Sequence, residues 1–285
     1  MESHPHVSVP LKISTITAIA KLNANVDLAL LFRHLELVAP AADQAGRGIA
    51  YVEYAKKKGT LEYKGYLKES KCKKRASKRP FDNQTTVHVK YGDSLLNVKV
   101  FRNGNVQITG LQRIEHGLDA LGYLCDRIRA IPPEVLGDVV DDASKLRPSD
   151  LKVCLINSDF KVDFEIRRDK LFRLLTSTDG GDAKVPGCTY EPCIYPGVKI
   201  QYFWNERSPT SGCCACAVKC QGAGDGRLEC RKITIAVFQS GCVIVTGGHS
   251  YEQIEHAYEY ILGILIEHMD AIRKPTTAAV GAGPT

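Results

Sequence analysis

Residues 98–110 read VKVFRNGNVQITG, with Val98, Val100, Val106 and Ile108 alternating with polar neighbours. A period of two sends successive side chains to opposite faces, so this pattern predicts half-buried strands. Asn103-Gly104 interrupts it and predicts a two-residue type I′ hairpin turn, which needs positive φ at both central positions. Residues 235–247, IAVFQSGCVIVTG, repeat the arrangement with Ser240-Gly241 at the turn. Phe101 matches Phe238, Gly104 matches Gly241, and Thr109-Gly110 matches Thr246-Gly247, all at an offset of 137 residues.

A helical period follows each hairpin. Ile114, Leu118, Leu121, Cys125 and Ile128 form one apolar stripe; Ile254, Ala257, Tyr258, Ile261, Leu265 and Met269 form the other, with Ser250 as its N-cap. Each copy also opens alike. LKISTITAIA (11–20) and LKVCLINSDF (151–160) predict strands; VDLALLFRHLEL (26–37) and IRRDKLFRLLT (166–176) predict helices. The chain is therefore expected to be an α+β protein built from one duplicated unit of strand, helix, antiparallel strands and long helix. The first repeat spans 11–130 and the second 150–272. A Pro- and Asp-rich linker, 131–149, joins them, and a disordered tail is expected at 273–285.

Composition changes this picture in two places. The net charge of +6 is concentrated in residues 56–80, where eleven Lys/Arg face two Glu, so the rest of the chain is net acidic. Lys56, Lys57, Lys58, Lys73, Lys74, Arg75, Lys78 and Arg79 form the densest part of this basic insertion. Such a run attracts polyanions by counterion release; a localisation signal or a solvated loop is the alternative.

The second place is a Cys/Gly-rich insertion, 205–230, which includes SGCCACAVKCQGAGDGRLEC (211–230). Cys213, Cys216, Cys220 and Cys230 give C-x2-C, C-x3-C and C-x9-C spacings and are the candidate ligands of a structural zinc ion, with Cys214 as a spare. Free thiols and redox chemistry remain open. The eleven cysteines accompany no export signal, so secretion and a disulfide framework are not expected. No segment approaches the roughly 20 apolar residues of a membrane span.

Several motifs in order resemble the TATA-binding-protein family. Tyr190-Glu191-Pro192 with Tyr195-Pro196-Gly197 is similar to the family's Y-E-P and F-P-G pair. VFQSGCVIVTG is similar to its strand–turn–strand, and Phe164-Glu-Ile-Arg167 to its F-P-I-R. Asp27-Leu28 and FRNGNVQITG resemble the corresponding segments of the first repeat. The two insertions further resemble the divergent members of the family from large eukaryotic DNA viruses. The resemblance implies a saddle of two pseudo-symmetric repeats, a curved antiparallel sheet with helices on the convex face. It implies a transcription initiation factor, not an enzyme, that binds and bends duplex DNA from the minor groove with its concave sheet. Transcription factors or RNA polymerase would be partners through the helical face, no membrane partner is implied, and the location would be the nucleus, the viral replication site or the virion.

Residue by residue, the resemblance puts Phe101 and Phe238 at one wedge position of each repeat, and Phe81 and Tyr195 near the other. Thr109 and Thr246 match retained threonines that reach base edges. Thr15 and Leu155 stand where the family has asparagines, and Thr17 and Asn157 where it has valines; Lys99 and Gln107 replace apolar contact residues. These departures imply only a weak preference for A/T-rich DNA. The alternative is a protein-interaction scaffold of the same fold that has lost specific DNA binding; a shift towards single strands is also open. The sequence contains no H-E-x-x-H, Walker loop, G-x-S-x-G or dinucleotide fingerprint.

Overall fold

The computed structural model describes residues 9–39, 46–56, 60–65, 83–177 and 187–275. The chain divides into two compact units, Thr15–Leu155 and Ile156–Thr285 with Met1–Ser14. Each is an antiparallel sheet with helices packed on one face, which makes the protein α+β.

In the first unit the strands are β1 (Lys12–Lys21), β2 (Gly48–Lys56), β3 (Thr60–Gly65), β4 (Gln84–Tyr91), β5 (Ser94–Phe101) and β6 (Asn105–Leu111), in the order β3-β2-β4-β5-β6-β1. Its helices among the described residues are α1 (Leu28–His34), α2 (His116–Arg129) and α3 (Pro133–Val139). In the second unit β7 (Ser149–Lys161), β8 (Cys188–Thr189), β9 (Val198–Trp204), β10 (Arg231–Val237) and β11 (Cys242–Gly248) run in the order β7-β11-β10-β9-β8. Its helices are α4 (Arg168–Thr176), α5 (Tyr251–Glu267) and α6 (Met269–Ile272).

The two orders are the same, with β3 added at the outer edge of the first unit. The register repeats as well. Thr109 pairs with Thr17 and Thr246 with Asn157, and in each unit a bulge at the following glycine, Gly110 or Gly247, shifts the ladder. An extra residue with positive φ increases local twist at the same point in both sheets.

The hairpin turns differ from the type I′ expectation. Gly104 and Gly241 have φ of +73° and +82°, but neither Asn103 nor Ser240 has positive φ. The N–H of Gly104 donates to Phe101 O and that of Gly241 to Phe238 O, so each loop has three residues, ending in a left-handed glycine. The reason is long-range. Gly104 O accepts from Leu22 N at 2.8 Å and Gly241 O from Val162 N at 3.0 Å, so the segment leaving the first strand of each unit clasps the turn. A Cβ on Gly104 would lie 2.2 Å from Ala24 O.

Helix α1 is shorter than 26–37. The Asp27 carboxylate accepts from Ala29 N and Leu30 N and fixes its start, and Leu35 leaves it in an extended conformation. Ser250 caps α5 as the pattern predicts, accepting from Gln253 N. Leu118, placed on the buried stripe by sequence, is exposed because α2 begins at His116 and turns Leu121, Leu124, Cys125 and Ile128 inward.

Two segments expected to be irregular have structure. Residues 131–149 carry α3 and bury Ile131, Val139, Val140 and Leu146; Asp141 accepts from Asn25 N and Nδ2 at 2.9 and 2.7 Å. They pack within the first unit, whose boundary falls at Leu155. In the second, β3 lies inside the 56–80 basic insertion and pairs along β2 from Lys56↔Thr60 to Tyr51↔Gly65. At the C-terminal end, Arg273 bridges to Ile166 and Lys274 Nζ lies 3.0 Å from Glu165, while 276–285 lie outside the described residues.

Candidate functional site

Strand alternation separates a buried face from an open one in each unit. In the second unit Ile156, Ser158 and Phe160 of β7, Ile233, Ile235 and Val237 of β10, and Val243 and Val245 of β11 are buried on the helical side. The opposite face presents Asn157 and Asp159 from β7, Ile244 and Thr246 from β11, Thr234 from β10, and Lys199 and Gln201 from β9; Leu155, two residues before Asn157 on β7, is the last residue of the first unit. In the first unit the corresponding face carries Thr15, Thr17, Ile19, Lys99, Phe101, Gln107 and Thr109.

At the end of the second unit's open face the rings of Tyr195 and Phe238 lie 5.7 Å apart, inclined at 59°. Gly197 lets them approach, since a Cβ there would sit 2.9 Å from the Tyr195 ring and 3.2 Å from that of Phe238. Lys199 Nζ stands 4.2 Å over the Tyr195 ring. Arg168, the first residue of α4, holds the pair from behind. Its guanidinium donates to Pro196 O and Gln239 Oε1 and lies 5.5 Å over the Tyr190 ring. Sequence reasoning singled out Arg167 and missed Arg168; the neighbouring Tyr190 was the available signal.

Phe101 holds the matching place in the first unit, half-buried beside a hollow of about 650 Å³ lined by Ile19, Lys21, Asn103, Asn105, Gln107 and Asp150. Lys21 Nζ and the Asp150 carboxylate meet at 2.9 Å on its rim. Phe81 lies outside the described residues, as do Lys57, Lys58, Lys73, Lys74, Arg75, Lys78 and Arg79; Lys56 ends β2.

The polar candidates meet in pairs. Thr246 Oγ1 donates to Asn157 Oδ1, and Thr17 Oγ1 faces Thr109 Oγ1 at 3.5 Å. The first bond leaves the Nδ2 hydrogens of Asn157 as donors on the open face. Thr15 Oγ1 accepts from Gly110 N at 3.1 Å, so this hydroxyl helps to hold the bulge. Lys99 lies between Thr86 and Gln107 on the open face.

The cysteine insert gathers a different set of thiols from that expected. The sulfurs of Cys214, Cys216, Cys220 and Cys230 all lie within 4.8 Å of one another, and this group could hold one metal ion. Sγ–Sγ distances are 3.7 Å for Cys214–Cys220, 3.7 Å for Cys216–Cys230 and 3.8 Å for Cys214–Cys230. Cys213 is exposed, and its N–H bonds to Ser211 Oγ, a local turn that leaves it out of the cluster. Backbone N–H groups of Cys220 and Cys216 pull the Cys214 thiol below its ordinary value, and burial pushes the Cys230 thiol up.

A family model described as Transcription factor TFIID (or TATA-binding protein, TBP) matches residues 175–268. The TATA-box-binding protein-like protein of Acanthamoeba polyphaga mimivirus is 28% identical over 271 residues, covering 92% of this chain and 67% of its own length. The chain is similar to the TATA-binding-protein family. The match to the family model takes in Tyr195, Phe238, Asn157's partner Thr246 and the whole cysteine insert. Among solved structures, Methanococcus jannaschii TBP is 18% identical with a TM-score of 0.48, over 90% of this chain and 98% of that one. No described helix is long and apolar enough to cross a membrane.

Proposed function

We propose that this chain is a DNA-binding transcription initiation factor that receives duplex DNA on the open faces of its two sheets and bends it. The observation that carries the reading is the Tyr195–Phe238 pair, two aromatic rings at the end of an open sheet face, with Phe101 at the equivalent place in the other unit. Apolar wedges inserted at base steps kink DNA from the minor groove. Ile19 and Ile244, both exposed on these faces, add apolar surface, and Lys99 and Lys199 add charge. The similarity to the mimivirus TATA-box-binding protein-like protein points the same way.

Specificity is expected to be modest. Leu155 offers no hydrogen bond, and Thr15 is engaged with Gly110. Asn157, two residues along the same face, still presents amide donors suited to the A N3 and T O2 acceptors of the minor groove. The helical faces are the surfaces left for polymerase or other transcription factors. Asp159, a carboxylate on the open face, favours the second reading, a protein-interaction scaffold of the same fold. The deciding experiment measures binding and bending of a doubly labelled A/T-rich duplex, against a G/C-rich one, across a salt series. Bending that collapses in Phe101→Ala/Phe238→Ala while the protein stays folded supports the factor. Unbent, steeply salt-dependent binding leaves only the basic insertion as a DNA contact and favours the scaffold.

The same proposal assigns zinc to the four-thiol cluster, in a structural role. Zinc–sulfur bonds of about 2.3 Å in a tetrahedron set the sulfurs roughly 3.8 Å apart. The Cys214–Cys220, Cys216–Cys230 and Cys214–Cys230 separations of 3.7–3.8 Å match that edge. Four sulfurs close the coordination shell and leave no position for a reacting water.

A further inference from the structure

We infer that zinc is the folding element of residues 205–230, and that through it the insert is fastened over the outer ends of β9 and β10 and against α5. The inference rests on the zinc reading above and adds what the ion does.

The insert has little else to order it. Its two largest aliphatic side chains, Val218 and Leu228, are 82% and 84% exposed, whereas Cys230 is fully buried. Glycines at 212, 222, 224 and 226 leave few side chains to pack. A segment that buries so little apolar surface does not offset its own ordering entropy, and metal ligation is the usual substitute.

What the insert holds in place is specific. Gly212 O accepts from Phe203 N at 2.9 Å and Gly222 O from Lys232 N at 2.8 Å, so the insert continues the hydrogen bonding of β9 and of β10 beyond their neighbours. Gly226 lies on the ring of Trp204, the chain's only tryptophan, so closely that a Cβ would be 2.1 Å from it. Trp204 is 3% exposed, and its Nε1 donates to His256 Nδ1 at 3.0 Å, on α5. Gln253 of α5 donates from Nε2 to Asp225 O at 2.9 Å, and Asn205, 2% exposed, donates to Cys230 Sγ at 3.7 Å. The ligands thus lie in the same fold of chain that buries Trp204, and the tryptophan reports on the site. The Tyr195–Phe238 pair sits at the opposite ends of the same two strands, before β9 and after β10, so the ion acts on the fold of the insert and not on the open face.

The test uses the full chain. A mercurial thiol reagent with a metal-indicator dye measures released zinc, and cobalt(II) exchange reads the tetrahedral thiolate spectrum. About one zinc per chain is expected, kept by Cys213→Ser and lost by Cys214→Ser and Cys220→Ser. Absence of both zinc and the cobalt spectrum overturns the zinc reading; loss in Cys213→Ser with retention in Cys214→Ser overturns the ligand set. Chelation of the wild-type chain should then shift Trp204 emission to the red and raise proteolytic cleavage within 205–230 at least about tenfold, as local unfolding of the insert requires. Zinc that leaves without altering either readout overturns the folding role while the zinc reading stands.

Discussion

Tyr195 and Phe238 are in ring contact although β9, the cysteine insert and β10 separate them in sequence, and Arg168 is the residue that brings their two segments together. Its guanidinium binds the carbonyl of Pro196 and the side chain of Gln239, the immediate neighbours of the two aromatics. Arg168→Ala should therefore loosen the pair and reduce the DNA bend angle, with a loss of stability of only about 0.5–1 kcal/mol, the range of an exposed cation–π contact. Phe238→Ala should remove the bend contribution of this unit and cost about 1–2 kcal/mol, since the ring is half-buried and the aromatic contact adds to its burial. Energy transfer across a labelled duplex, with urea unfolding of each variant, separates the effects. An Arg168→Ala protein that bends as wild type removes Arg168 from the site.

Asn157 should carry most of the remaining base preference. The Thr246 hydroxyl bonds its Oδ1, which directs Nδ2 to the open face. Asn157→Leu should lower the ratio of A/T-rich to G/C-rich affinity by about three- to tenfold, the worth of one or two minor-groove hydrogen bonds, and leave the salt slope unchanged. Thr17, the matching residue of the first unit, faces Thr109 at 3.5 Å and offers no amide, so Thr17→Val should change the ratio little. Competition binding at fixed salt reads both; equal ratios for Asn157→Leu and wild type would discount the assignment.

The duplication was legible because half-buried strands impose a period of two and each turn ends on a glycine, so Phe101, Gly104 and Thr109 recur as Phe238, Gly241 and Thr246. What local patterns missed depended on long-range contacts. The Asn103-Gly104 dipeptide reads as type I′, yet the Leu22 N–H that clasps Gly104 O belongs to a residue far away in sequence. C-x2-C spacing selected Cys213, but adjacent residues point in different directions, and the turn at Ser211 decides for Cys214. Residues 131–149 read as a linker from their Pro and Asp content; Ile131, Val139, Val140 and Leu146, all buried, were the contrary signal. Arg168 acts through carbonyl and amide groups that no motif records.

The clasped turns make a stability prediction. Gly104→Ala places a Cβ 2.2 Å from Ala24 O at a φ of +73° and should cost more than about 2 kcal/mol, from left-handed strain plus the clash. Gly122, inside α2, has nothing within 4 Å of an added Cβ. Gly122→Ala should instead stabilise by about 0.5–1 kcal/mol through helix propensity. Urea midpoints of the two variants should move in opposite directions; a shared direction would mean that α2 or the turn is packed differently.

Cys125 gives the last prediction, in which the pH sign is fixed by burial. It lies on the inner side of α2, 1% exposed, and burial raises its thiol from the ordinary 9.0 to about 12, with Arg129 opposing. The fold thus favours the neutral thiol. A folded pKa above the unfolded one gives stability that is complete below about pH 9 and is lost as pH rises towards about 12. Alkylation at neutral pH should mark exposed Cys193 and Cys213 before buried Cys125. Cys125→Ala removes the titrating group, so the melting temperature, lower at neutral pH for the lost packing, should fall less steeply on the alkaline side than in wild type. An alkaline slope unaltered by Cys125→Ala would place the titration on another group, such as Tyr202 or Tyr260, which burial also shifts upward.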